Sequence, residues 1–213
     1  MRRYDRPLIA AAIALAGLAG FVDALGFVGL GGFFVSFMSG NSTRFGVALG
    51  SQAWPAAIRA GLLIFLFLAG VMGGTLIAHA IPHRRKPAVL GTVTFILGAA
   101  ASCHALSHDL LALYLLPLAM GVENGTFQRD GEVTIGLTYM TGTLVRFGQR
   151  AALALAGHER WAWVPHFLLW LGFLAGVAAG TCTYWQIGLD ALWIVVAAAA
   201  GLTLILGRLT RPQ

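Results

Sequence analysis

Residues 20–46 read GFVDALGFVGLGGFFVSFMSGNSTRFG, and two features of this stretch decide the fold. An acid, Asp23, stands inside an apolar run that extends from Leu8 to about Leu30. The apolar residues then resume over 32–50, interrupted by Gly40, Asn41, Ser42, Thr43 and Arg44. A run of about 20 apolar residues is what a helix needs to cross a hydrocarbon core. A charge within such a run costs about 2.5–3.5 kcal/mol on insertion scales. Asp23 is therefore expected to face a bundle interior or a watery cavity, not lipid.

The rest of the chain has the same character. Hydrophobic residues make up 58% and charged residues 10%, against roughly 25% charged in soluble domains. Too few charges remain to cover a water-facing surface, so lipid is the expected solvent. Apolar spans fall near 8–30, 57–81, 88–106, 110–128, 162–184 and 189–207, with interrupted stretches at 32–50 and 133–155. The net charge of +6 sits mostly in the short segments between spans, as the positive-inside rule expects, and no basic and aromatic stripe suggests nucleic acid. The opening Arg2, Arg3 and Arg6 before an apolar run resemble a secretory leader. That run is too long for one, and its acid recurs in the second half. Cys103 and Cys182 suggest two small buried thiols, not a disulfide framework.

An internal repeat is present. FMSGNSTRFG at 37–46 and YMTGTLVRFG at 139–148 share five of ten positions. FLAGVMGGT at 67–75 and FLAGVAAGT at 173–181 share seven of nine. Asp23 in GFVDALG aligns with Glu123 in MGVENGT. Apolar helices resemble one another by composition alone, but that does not account for a shared acid, a shared Gly and a shared Arg at matching depth. The halves are taken as 1–107 and 108–213 of one membrane domain.

Topology then turns on the interrupted stretches. If they cross fully, the chain has about eight spans and parallel halves. If they are re-entrant, it has about six spans and inverted halves. With six spans and the N-terminus inside, Arg2, Arg3, Arg6, Arg84, Arg85, Lys86, Arg129, Arg160, Arg208 and Arg211 face the cytoplasm, leaving Arg44 and Arg59 outside. Eight spans move Arg84, Arg85, Lys86 and Arg129 outside, against the rule. The expected fold is thus an all-α polytopic membrane protein: about six transmembrane helices, two re-entrant segments and two homologous halves as inverted repeats.

The same positions nominate a site. The sequence predicts a helix break at Gly40, Asn41 and Ser42, with a second half-helix starting near Thr43 and capped by these polar side chains. A helix N-terminus attracts anions, and Arg44 strengthens that. Thr141, Gly142, Thr143 and Arg146 repeat the pattern. Paired breaks are the sequence pointer to a midplane substrate site. Asp23 and Glu123 would couple or gate, as a proton or ion site. The alternative is a structural ion pair between these acids and the arginines. Gly70-xxx-Gly74 and Gly176-xxx-Gly180 allow close helix approach and are read as packing between halves, though they could mediate a homo-oligomer. The histidines lack co-ligands, and there is no GxSxG, HExxH or phosphate loop. No metal, cofactor or enzyme activity is expected.

The segment GFVDALGF (20–27) followed by FVSFMSGNSTRFG (34–46) resembles the YoaK-like family of bacterial membrane proteins, over what looks like the full chain. The resemblance implies a bacterial inner-membrane protein with about six spans and no settled substrate. In the second half Thr143, Leu144 and Val145 replace Asn41, Ser42 and Thr43, so the two breaks need not be equivalent. The expected function is a small transporter for a small polar or anionic solute. An uncoupled channel is the near alternative, and a membrane scaffold whose buried charges are structural is the third.

Overall fold

The computed structural model describes residues 6–129, 132–133 and 136–209; Arg2, Arg3 and Arg211 lie outside them. The described residues form eight α-helices: α1 (Arg6–Gly29), α2 (Met38–Gly50), α3 (Trp54–Ala80), α4 (Arg85–Ala105), α5 (Asp109–Glu123), α6 (Met140–Leu155), α7 (Val164–Ile187) and α8 (Leu192–Leu209). A two-residue antiparallel ribbon pairs Gln128–Arg129 with Glu132–Val133. Among the described residues, four segments are long and apolar enough to cross a membrane: Pro7–Gly29, Trp54–Ala80, Pro82–Ala105 and the continuous run Val164–Leu209. That last run holds both α7 and α8, because Gly188 at φ 61° turns the chain sharply between them. Only a residue without a Cβ adopts this conformation cheaply.

Helix seams join the two halves of the sequence. α1 packs chiefly on α7, α3 on α5, and α4 on both α5 and α8, while α2 lies on α3 and α6 on α7. Glycines set the first two seams. A Cβ at Gly176 would strike the Gly17 carbonyl oxygen, and one at Gly180 would come within 2.6 Å of the Phe21 oxygen. In the matching seam, a Cβ at Gly74 would lie 2.7 Å from the Val122 oxygen and one at Gly70 would strike that of Leu118. Backbone meets backbone here, so dispersion replaces the hydrophobic drive that lipid cannot supply. The Gly-xxx-Gly pairs do serve packing between halves. Cys103 and Cys182 are free thiols, and Cys182 lies exposed on the bundle surface, contrary to the expected burial.

The register of these contacts gives the helix directions. Ile13, Gly17 and Phe21 meet Gly172, Gly176 and Gly180 in order, so α1 and α7 run parallel; Gly70 and Gly74 meet Leu118 and Val122 in order, so α3 and α5 do too. α4 and α8 run antiparallel, with Thr94 bonded to Thr203 at 3.3 Å and Pro87 beside Gly207. One end of the bundle, the Gly29 face, collects the ends of α1, α4 and α7 and the starts of α3, α5 and α8. There Arg59 donates to the Leu30 carbonyl, and His104 reaches Asp109 at 2.6 Å and Asp190 at 3.5 Å. The opposite Arg84 face holds the starts of α4 and α7 and the ends of α3, α5 and α8. The segment 30–53 therefore leaves and returns at the Gly29 face, and 124–163 does so at the Arg84 face.

Candidate functional site

The first break lies upstream of where its polar residues suggested. α2 is helical from Met38, so Gly40, Asn41 and Ser42 sit in its first turns, and the irregular backbone is 30–37. Gly31 and Gly32, at φ 67° and 94°, end α1 and turn the chain back. The expected half-helix start at Thr43 is therefore corrected to Met38. The Ser42 and Thr43 hydroxyls donate to the Met38 and Ser39 carbonyls one turn back, at 2.8 and 3.2 Å, which a helix interior tolerates. They cap nothing, and Phe37 at the N-cap makes no side-chain capping bond.

Backbone without secondary structure must find its partners elsewhere, and two buried side chains supply them. One oxygen of Asp23 accepts the N–H groups of Val35 at 2.9 Å and Ser36 at 2.8 Å. The Asn41 amide accepts the Phe34 N–H at 3.0 Å and donates to the Phe34 carbonyl at 2.7 Å. Three consecutive N–H groups are thus met by side chains of α1 and α2. Asp23 stands six residues before the end of α1, so at 1.5 Å per residue the loop reaches about 9 Å below the Gly29 face. α2 then climbs back. The Asp23 carboxyl thus meets the backbone just ahead of the first turn of α2.

Aromatic rings line the mouth of this hairpin. Phe34 packs on Phe27 and Phe37, with centroids 4.9 and 5.1 Å away. Gly40 lies beneath two of them, since a Cβ there would come within 2.8 Å of both the Phe34 and Phe37 rings. Arg44 is exposed, its guanidinium 5.2 Å from the Phe33 centroid, and Arg59 covers the same ring at 5.6 Å. Two cations on one ring are attracted by its quadrupole, yet neither has a carboxylate partner among the described residues.

The second half is built differently. α5 has 15 residues against 21 in its hairpin partner α4, so it stops about 9 Å short of the Arg84 face. Glu123 is its last residue, fully buried, and neither carboxyl oxygen has a hydrogen-bond partner among the described residues. Asn124 beside it donates to the Met120 carbonyl at 2.9 Å and accepts from the Thr138 hydroxyl at 3.2 Å. The buried Thr126 hydroxyl is also without a partner among the described residues. α6 is helical from Met140, with Thr141, Gly142 and Arg146 exposed and Thr143 buried.

The nominated residues therefore form two clusters near opposite faces. Asp23, Gly40 and Asn41 come together, with Ser42, Thr43 and Arg44 on the outer side of α2. No ion pair among the described residues joins Arg44 or Arg146 to either acid. Phe33, Phe34 and Asn124 were missed. Only Asn124 left a signal, as a polar neighbour of the intramembrane acid.

Long apolar helices, buried carboxyls and irregular backbone inside the bundle define a polytopic α-helical membrane protein. The chain belongs to the family described as Protein of unknown function (DUF1275), whose model matches residues 11–205. It is 34% identical over 208 residues to the UPF0700 transmembrane protein RA0705 of Rhizobium meliloti (strain 1021), covering 95% of this chain and 87% of that protein. It is 24% identical over 133 residues to the UPF0700 transmembrane protein YoaK of Bacillus subtilis (strain 168), covering 59% of each. The resemblance carried by residues 20–46 thus holds at the family level. No solved structure matches.

Proposed function

We propose that the protein is a small inner-membrane transporter for a small polar or anionic solute, with two inverted halves and cytoplasmic termini. The observation that carries this reading is the dipping loop 30–37. Irregular backbone at membrane depth is tolerated only where protein buries it or where it lines a cavity, and such segments mark substrate sites in transporters. Three further features support it. Elements of the two halves run in opposite senses, α1 against α5 and α3 against α7. Their interrupted segments open to opposite faces. Arg84, Arg85, Lys86 and Arg208 gather at one face, which the positive-inside rule assigns to the cytoplasm. That leaves Arg44 and Arg59 at the outer mouth to attract an anion. The scaffold reading draws on one observation, the closure of Asp23 by its own loop.

Topology is the first test. In a background lacking Cys103 and Cys182, Ser51→Cys should label from outside while His83→Cys does not. Labelling of His83→Cys alone would replace the inverted halves with parallel ones. Transport is the second test. Proteoliposomes on a solid support are challenged with inorganic anions, short carboxylates and amino acids. The expected result is a saturating response to one class, weakened about tenfold or more by Arg44→Gln, since a charge-assisted contact is worth about 1.5–3 kcal/mol. A response that never saturates makes the protein a channel. Silence toward every class from folded protein favours the scaffold.

A further inference from the structure

Asp23 and Glu123 occupy matching places in the two halves, yet their surroundings differ in kind. Asp23 receives two backbone N–H donors on one oxygen. Among the described residues Glu123 receives none, although it is just as deeply enclosed. Donors stabilise a carboxylate, and an ion buried without them costs far more than a neutral acid does. We propose that Glu123 is a protonation site that holds its carboxyl in the acid form inside the bundle, whereas Asp23 is a fixed anion that anchors the re-entrant loop.

Every element packed around Glu123 bears on this assignment. α3 presents the backbone at Gly70 and Gly74 to this end of α5. From α4, Lys86 lies 5.8 Å from the ring centroid of Phe127, four residues beyond Glu123 in the chain. α5 itself offers its C-terminal end, whose partial negative charge opposes a carboxylate. The carbonyls of that end are already used: Asn124, Gly125 and Thr126 donate to Gly121, Val122 and Glu123. A metal cation is a poor alternative occupant. Calcium takes about 6–8 oxygen ligands, and no cluster of His, Cys, Asp or Glu that could hold a metal exists among the described residues. A proton needs one oxygen.

This deepens the transport reading and rests on it for its physiological use, but the protonation can be measured without any solute.

The test is infrared spectroscopy of the reconstituted wild-type protein at neutral pH. The expected spectrum contains a carbonyl band of a protonated carboxylic acid. That band should shift when glutamate is labelled with carbon-13 at its carboxyl group, stay put when aspartate is labelled, and vanish in Glu123→Gln. Labelling leaves the fold untouched, so the result does not depend on how the variant behaves. Absence of the band from wild type overturns the proposal, as does a shift on aspartate labelling or persistence in Glu123→Gln. A protein that transports nothing would still give the band, so the two readings fail separately.

Discussion

Gly176→Ala should cost about 3–5 kcal/mol and largely unfold the protein in detergent, while Gly73→Ala should leave it as stable as wild type or slightly more so. The added methyl at Gly176 strikes the carbonyl oxygen of Gly17, and the next nearest atoms are also Gly17 backbone. No side chain can rotate away, so α1 and α7 must move apart along the whole seam. Overpacking against flexible side chains costs about 1–3 kcal/mol, and a rigid backbone puts this case above that range. Gly73 stands one residue before Gly74 in the matching helix and has nothing within 4 Å of the added carbon. There the substitution only removes backbone freedom from a helix interior, worth about 0.5–1 kcal/mol in favour of Ala. Thermal melting followed by size-exclusion chromatography reads both variants. Equal melting of Gly176→Ala and wild type would mean that the α1–α7 register is wrong.

The seams were legible because small residues at four-residue spacing have one main use in lipid. The long helices were legible for a similar reason, since apolar runs of spanning length leave few other folds open. The position of the break was not. Asn41, Ser42 and Thr43 look like a polar interruption, yet a helix accepts them when hydroxyls bond one turn back and the amide reaches outward. The true interruption, Gly31–Gly32, sits in an apolar context and reads as two more packing glycines. Only the contact between Asp23 and the backbone of Val35 and Ser36, 12 and 13 residues on, identifies the loop. Sequence patterns do not reach across such a separation.

The two acids carry the same lesson. Their alignment suggested one shared role, because a repeat encodes the position of a residue but not its partners. Asp23 lies within α1, six residues before that helix ends, and the returning loop brings donors to it. Glu123 ends its helix, and the chain beyond it spends its N–H groups on α5 carbonyls. A difference of a few residues in helix length therefore separates an anchored carboxyl from one without a partner among the described residues.

Asp23→Ala should release the loop 30–37 at a cost of about 3–5 kcal/mol. Each hydrogen bond to a charged acceptor contributes about 1.5–3 kcal/mol, and the substitution strands two buried N–H groups while removing both bonds. The Asn41 bonds to Phe34 survive, so the loop should fray from Val35 onward while Phe34 stays attached. Ser36→Cys in the cysteine-free background reports this directly, because Ser36 is buried and its thiol would be shielded in the intact protein. Labelling of that thiol should rise at least about tenfold when Asp23 is Ala, as an opening equilibrium shifted by 1.4 kcal/mol or more requires. Asp23→Asn should fall between the two, since an amide oxygen still accepts both N–H groups but without the charge. Asp23→Glu should not restore the wild type, because one more methylene moves the carboxyl off the Val35 and Ser36 N–H groups that its oxygen now meets at 2.9 and 2.8 Å. If Asp23→Ala leaves the labelling rate unchanged, Asn41 and the packed rings of Phe27, Phe34 and Phe37 hold the hairpin. The acid would then be free for the ion-handling role that its bonds to the loop argue against.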